Sequence, residues 1–528
     1  MSRYTFKRAT TPEELAEIHR LNHRIFVDEI GQHEPSGTGS LIDQFDGKNT
    51  YFIAKLEDRL VGMISVHDRP PFSVAAKLSD TDVLSKLGPY LLEVRLLAVH
   101  PDERNSSVFA GLLYAVLTFA CCGDHSHLII SGVQKHLPMY ERLGFHAIGP
   151  AVKRGKAEFT PMAVSVNDLP PQTVDRFRRR VVGSRHVCLL PGPVQPSRSV
   201  QQAFAEPPVS HRGEAFCAEF EAVRAQLERL SGGMRAALFP GSGTFANDVV
   251  GAAISADPSR HAGLILANGE FGCRLICHAN RWRLPYRALS FDWASSWDLK
   301  AVVRCLDDHS EIDWIWAVQL ETSTGILNDI SPLRRLAEAR GVELYLDCVS
   351  SFCAIEPDLR SVSIASAVSG KSIGSYSGAA IVLVRDSVVE RLPSEAFPVA
   401  LDLPAALRAT GPLTTFPSQV IRALGQALTE QGCEKWEQYR ALGGFVRRKL
   451  EGIGLKAIVT GPQAAPVITS FEPLPGDSPG EVVRRCCEAG FSIASESDYL
   501  RQRGWLQIAT MGDIAREDLV PLFPALRP

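Results

Sequence analysis

No two of the twelve cysteines stand at C-x-x-C spacing. Structural zinc sites use that spacing, so a metal is not expected. The cysteines include the adjacent pairs Cys121-Cys122 and Cys486-Cys487, and many of the twelve sit in apolar segments. They read as buried thiols, and the cytoplasm is the expected compartment. No apolar run is long enough to cross a bilayer, and Met1–Thr10 lacks the hydrophobic core of a signal peptide, so no membrane partner is expected. Charge of one sign is also missing. Lys plus Arg is 56 and Asp plus Glu is 59, for a net charge of −3, which argues against a nucleic-acid partner. The one basic run, Arg176–Arg180, reads as a solvated face of a connecting helix. There is no internal repeat and no low-complexity tract. What remains is a chain of 528 residues, 45% hydrophobic and 22% charged. That is too long for one ordinary domain and has a globular balance.

In the first part, Tyr4–Arg8, Tyr51–Leu56 and Leu60–Val66 read as strands, the last two joined through Glu57-Asp58-Arg59 as a hairpin. A strand at Leu91–Val99, a helix at Ser107–Cys121, a strand at Leu128–Ile130 and a helix near Lys135–Arg142 follow. The segments E-V-R-L-L-A-V-H-P-D-E-R (93–104) and M-Y-E-R-L-G-F (139–145) make residues 1–165 resemble GNAT acyltransferases. R-I-F-V-D-E-I-G-Q (24–32) and D-Q-F-D (43–46) resemble the acyl-homoserine-lactone-synthase branch of that fold. The resemblance implies an α+β domain with Glu93 as a base and Tyr140 as the acid that protonates a leaving thiolate. The pyrophosphate loop departs from the family pattern: Ser107 and Phe109 stand where glycines belong. A bulky residue there hinders close backbone approach to a phosphate. Two alternatives follow: an acyl donor other than acetyl-CoA, such as an acyl-carrier-protein thioester, or loss of catalysis, leaving a docking module. Pro170-Pro171 and the basic run mark residues 166–186 as a linker.

From Leu189 onward, apolar runs alternate with helical segments. Strands are expected at Ala236–Phe239, Gly263–Ala267, Trp314–Gln319, Val342–Leu346 and Ala379–Val384, with helices at Ala215–Leu230 and Phe245–Ile254. Such alternation predicts a mostly parallel sheet covered on both faces, with ligands beyond the carboxyl ends of its strands. Lys371 lies in S-A-V-S-G-K-S-I-G-S-Y-S-G (366–378), flanked by small residues between apolar runs. A poorly hydrated ammonium there loses its proton easily and attacks carbonyls. Asp347 ends an upstream strand, where an acid can hold a pyridinium nitrogen protonated. Gly241-Ser242-Gly243-Thr244 follows a strand and opens a helix, a turn suited to a phosphate. Phe271 between two glycines suits ring stacking, and Thr322 heads a hydroxyl-rich turn. Each alone also has a purely structural reading. Their order is what carries the reading.

That order resembles the class V, fold-type I pyridoxal phosphate aminotransferases over residues 187–528, most of all the 2-aminoethylphosphonate transaminase branch. L-L-P-G-P (189–193), G-S-G-T-F (241–245), A-N-G-E-F-G-C-R (267–274), E-T-S-T-G-I-L-N (321–328), D-C-V-S-S-F (347–352), T-F-P-S-Q-V (415–420) and I-A-T-M-G-D (508–513) carry it. The resemblance implies a large α/β/α domain and a small C-terminal α+β domain, with pyridoxal 5'-phosphate as cofactor. Lys371 would hold it covalently and move the substrate proton, and Asp347 would pair with its ring nitrogen. Phe271 and Val349 would cover its two faces, with Thr322 in support. Ser242, Gly243 and Thr244 would hold the phosphate, with Ser369 or Gly370 nearby. Thr415 would reach the cofactor of a second subunit, which implies a homodimer. Where the family usually carries an anion-gripping arginine, this chain has Gln507, so Gln507, Arg212 and Arg501 are the expected substrate-binding residues, with Arg503 as a further substitute for the arginine. The expected activity is amine transfer between an amino donor and a keto acceptor, with the first domain acylating an amine from acyl-CoA or a carrier-protein thioester. The alternative is a class V lyase or desulfurase beside a degenerate GNAT module.

Overall fold

A computed structural model describes every residue except 1–3, 32–36, 81, 105, 124, 155–156, 171–176, 178–185 and 394–395. The chain divides into two units. The first holds residues 1–186, 488–490 and 516–528, and the second holds 187–487 and 491–515.

The first unit is built on a sheet ordered β1-β2-β3-β4-β5-β8-β6, with β7 paired to β8. Its leading strands are β1 (Tyr4–Arg8), β2 (Thr50–Leu56), β3 (Arg59–His67), β4 (Leu91–Val99) and β5 (His127–Val133). The sheet closes with β6 (His146–Ala147), β7 (Val152–Arg154) and β8 (Ala157–Ser165). β3 is buried from Leu60 to His67 because both sheet faces are covered. One face packs on the helix Val108–Cys122. There Gly111 lets the helix approach β1, since a Cβ at that position would lie 2.1 Å from the Phe6 ring. The other face takes Ile18, Leu21, Ile25 and Phe26. β4 and β5 are the parallel pair, and they are joined only from Leu91–Glu93 to His127–Ile129. Beyond that point β4 remains paired with β3 but not with β5, which opens a cleft between them.

The expected division changes at the C-terminus. Arg516–Pro528 belongs to the first unit, not to residues 187–528 as a block. Val520 sits in the first unit's core, Arg516 donates to the Cys122 carbonyl at 3.1 Å and Arg527 to the Asn167 carbonyl at 3.0 Å. Of the expected linker 166–186, residues 171–176 and 178–185 lie outside the described residues, and so does the basic run apart from the buried Phe177.

The second unit contains a seven-stranded sheet, in spatial order Arg235–Gly241, Gly378–Val384, Ile364–Val368, Glu343–Asp347, Ile312–Val318, Ala262–Ala267 and Tyr286–Ser290. Only Gly378–Val384 runs against the others. Gly241, Ala267, Val318, Asp347 and Val368 therefore end at one edge. Two apolar layers, one on each face, fill the space beneath the helices. Every expected strand is present. Tyr286–Ser290 and Ile364–Val368 were not foreseen, and it is Ile364–Val368, not the Glu343–Asp347 strand, that leads into the Lys371 turn. The C-terminal part carries the long helix Cys433–Gly452 and an antiparallel pair, Ile468–Phe471 with Leu506–Ala509.

Candidate active sites

Lys371 sits on a turn fixed from several sides. Ser369 Oγ donates to the Tyr376 carbonyl at 2.7 Å and accepts from the Ala379 N–H at 3.1 Å. Ser372 Oγ donates to the Ser350 carbonyl at 2.8 Å, and Tyr439 OH donates to the Ser372 carbonyl at 3.1 Å while accepting the Gly512 N–H at 3.0 Å. Gly370 is required, because a Cβ there would stand 2.2 Å from Ser377 Oγ. The L-L-P-G-P segment covers the lysine: Lys371 Nζ donates to the Pro191 carbonyl, and Gly192, at φ +146°, brings its backbone against the side chain. Burial pushes the Lys371 pKa down to about 8; Asp347 opposes that shift and the charge of Arg274 adds to it.

Asp347 is buried at the end of its strand. It accepts from Asn247 Nδ2 at 2.7 Å and from the Val349 N–H at 2.9 Å. Asn247 is in turn held by Ser366 Oγ at 2.7 Å. Burial raises the Asp347 pKa, while Asn247, the Val349 amide, His278 and Lys371 all pull the other way. Val349 packs on Gly243, where any Cβ would fall 2.6 Å from it. Gly243 opens the helix Gly243–Ala256, which Ser242 caps by accepting the Phe245 N–H at 3.3 Å. Ser242 and Thr244 remain exposed at that N-terminus, where helix amides lack internal partners and favour an anion.

Phe271 is placed by a residue not singled out from the sequence. Glu321 is fully buried and accepts the Phe271 and Gly272 N–H groups at 3.0 Å each, the Ser323 N–H at 3.1 Å and the Ser323 hydroxyl at 2.5 Å. It thus ties the N-terminus of the helix Glu270–Arg281 to the Thr322 turn. Thr322 Oγ1 lies 2.6 Å from Ser350 Oγ. Gln507 is fully buried. Its Nε2 donates to the Thr322 carbonyl at 2.7 Å, the Ser323 carbonyl at 3.0 Å and Ser470 Oγ at 2.8 Å. The amide props the Thr322 turn, which corrects its expected place among substrate-binding residues. Arg212, Arg501 and Thr415 are exposed, and none of them is brought to Lys371 by a described contact. The groove lined by Met234, Asp358, Arg360 and Arg385 belongs to the opposite end of the sheet, where Arg235 pairs with Val384.

The residues gathered at the sheet edge fit pyridoxal phosphate on this geometry. A buried acid lies close enough to act on a lysine of depressed pKa, a capped helix N-terminus opens beside Val349, and Gly192 and Gly243 keep the space where a Cβ would intrude.

In the first unit, the structure gives Glu93 a different task from the expected one. It is fully buried, and its two oxygens accept from His67 Nε2 at 2.8 Å and from the Ser73 N–H, the Ser73 hydroxyl and the Val74 N–H at 2.7 Å each. These partners outweigh burial and hold its pKa below the usual carboxylate range. A general base needs a lone pair that substrate can reach, so Glu93 is a post for the Ser73 turn. Tyr140 is half-buried and packs on Gly132 of β5, beside the strand that parts from β4. Burial raises its pKa, which keeps the phenol protonated as an acid must be. Phe109 occupies the first turn of the Val108–Cys122 helix; Asn105, within the departing loop, lies outside the described residues.

The 2-aminoethylphosphonate–pyruvate transaminase of Salmonella paratyphi B is 27% identical over 365 residues, covering 65% of this chain and 97% of that protein. The alanine–glyoxylate aminotransferase of Nostoc sp. superposes with a TM-score of 0.59 at 25% identity, covering 65% of this chain and 94% of its own. A family model described as "N-acyl amino acid synthase FeeM" matches residues 17–165. The chain joins a class V aminotransferase unit to an acyltransferase-type unit. This bifunctional enzyme shares its larger fold more widely. A cysteine desulfurase from Thermococcus onnurineus NA1 gives a TM-score of 0.52 at 12% identity, covering 64% of this chain and 93% of its own, a likeness of fold alone.

Proposed function

We propose that the second unit transfers an amino group between an amino acid and a keto acid, and that the first unit N-acylates an amino acid, the product of the second being the natural candidate. The observation that carries this reading is the meeting of Lys371, Asp347 and the Gly243 helix N-terminus at one sheet edge. Bound there, pyridoxal phosphate supplies an electron-withdrawing ring that stabilises negative charge on the carbon beside the amine. Asp347 provides the countercharge for the ring nitrogen. Asn247 orients that carboxylate, and Ser242, Gly243 and Thr244 receive the phosphate. Phe271, fixed by Glu321, lies beside the ring. Lys371, with a pKa near 8, carries the cofactor and shuttles the substrate proton at its Nζ. In the first unit, the cleft between β4 and β5 takes the acyl donor, acyl-CoA or a carrier-protein thioester, and Tyr140 protonates the departing thiolate. We further infer a cytoplasmic homodimer in which Thr415 faces the neighbouring subunit's cofactor.

The test is a screen of amino donors and keto acids against the cofactor-loaded protein, followed through the visible absorbance of the bound cofactor. The next step is mass-spectrometric detection of an N-acylated product when acyl-CoA or an acyl carrier protein is added. Release of sulfide or alanine without a keto acid would overturn the transaminase assignment.

A further inference from the structure

Gln507 stands where the resembling family carries its anion-gripping arginine, and its amide is committed to Thr322, Ser323 and Ser470. An amino acid bound beside Lys371 therefore needs another partner for its carboxylate; this inference rests on the aminotransferase reading. Arg212 and Arg501 are exposed, and no described contact brings either to Lys371. Arg503 holds its guanidinium over Trp293, 3.7 Å from the ring centroid, with Trp505 at 5.2 Å, and its charge is not among those acting on Lys371.

Arg274 is placed differently. It follows Phe271 by one helical turn, on the helix whose N-terminus Glu321 ties to the Thr322 turn. Its guanidinium covers the Phe271 ring at 4.7 Å. Glu270 Oε1 holds it by Nε at 3.0 Å, and the side chain is still 47% exposed. Neither of its terminal nitrogens donates to a described residue. Among the arginines of the described residues, it alone contributes to the lowered pKa of Lys371. The wall beside it is aromatic, with Tyr499 stacked edge-on to Phe271 at 6.4 Å and tilted against Trp293 at 6.5 Å.

We propose that Arg274 grips the carboxylate of an α-amino acid at the mouth of the Lys371 cleft, with its terminal nitrogens as a two-pronged donor and Glu270 fixing the opposite edge of the guanidinium. A planar fork is suited to this task, and a neutral amide cannot substitute for it.

The experiment uses the full-length, cofactor-loaded enzyme. The best donor among the common L-amino acids is compared with the amine left when its carboxylate is removed, and the reaction is followed at the bound cofactor's absorbance. Arg274→Gln should lower kcat/KM for the amino acid by about 30-fold, mostly through KM, and should lower that for the amine far less, the loss expected for a charged hydrogen-bond pair. Arg274→Lys should recover part of the loss. Glu270→Gln, which weakens the hold on the Nε edge of the guanidinium, should raise KM for the amino acid by about 3-fold. Equal losses for both donors in Arg274→Gln, or an unchanged amino-acid KM in a reacting variant, would overturn this inference alone. A wild-type enzyme that holds the cofactor yet reacts with no donor would overturn the aminotransferase reading together with it.

Discussion

Glu93 in the first unit and Asp347 in the second are both buried carboxylates on central strands, yet they are provisioned differently. Glu93 accepts four hydrogen bonds and its pKa is held down. Among the described residues Asp347 accepts from Asn247 and Val349 only, and burial prevails, pushing its pKa up. A saturated buried carboxylate is a structural post, because its desolvation is already offset by its neighbours. An under-provisioned one lacks part of its compensation until a cation arrives, which suits a group meant to face a protonated ring.

The largest effect expected in breaking this comparison comes from its centre. Lys371→Ala should abolish amine transfer, by at least about 10^3-fold, and remove the visible absorbance of bound cofactor. A variant turning over at the wild-type rate would refute the assignment. Next come substitutions of the two carboxylates. Asp347→Asn should lower kcat by about 10^2-fold or more with the fold intact by circular dichroism. Glu93→Ala should leave amine transfer untouched and cost the first unit about 3 kcal/mol, read as an earlier thermal transition, because it strips partners from a buried charged network.

The same pair sharpens the pH dependence of stability. Glu93 has a folded pKa below its unfolded value near 4.5, so its stabilisation is present above that value and is lost as pH falls through the folded one. Asp347 has a raised folded pKa, so the folded state binds the proton more tightly and stability falls as pH rises through the window above 3.8. Chemical denaturation of the cofactor-free protein between pH 3 and 7 should show the Glu93 contribution vanish in Glu93→Gln, whereas Asp347→Asn should flatten the opposing slope. Lys371 adds a kinetic counterpart: cofactor capture should rise through about pH 8, as the free amine appears. The smallest effect belongs to the props. Gln507→Leu should cost about 1–3 kcal/mol by leaving the Thr322 and Ser323 carbonyls unpaired, with a raised KM for cofactor.

Much of this was legible in the chain. Asp347, Lys371, Phe271 and the Gly241–Thr244 turn were singled out because a mostly parallel sheet writes its strands as apolar runs, and the polar residues at their ends stand out. Asn247, Glu321 and Arg274 were not. Asn247 sits within a helix whose other inward residues are apolar, and Arg274 and Glu270 look like an ordinary surface pair at i,i+4. The strand Ile364–Val368 was hidden by its serine, Ser366, which the fold matches to Asn247. Glu93 was read from motif position alone, and a motif does not report how many donors surround an oxygen.

The sequence by itself determined the alternation of elements and which polar residues follow the strand ends, since these follow from local periodicity and turn chemistry. Tertiary structure alone decided which buried polar groups are satisfied. Asn247 reaches Asp347 across 100 positions and Gln507 reaches Thr322 across 185, and the C-terminal Arg516–Pro528 segment returns to the first unit. Burial and hydrogen-bond satisfaction are set by neighbours in space, and for these residues the neighbours are remote in the chain.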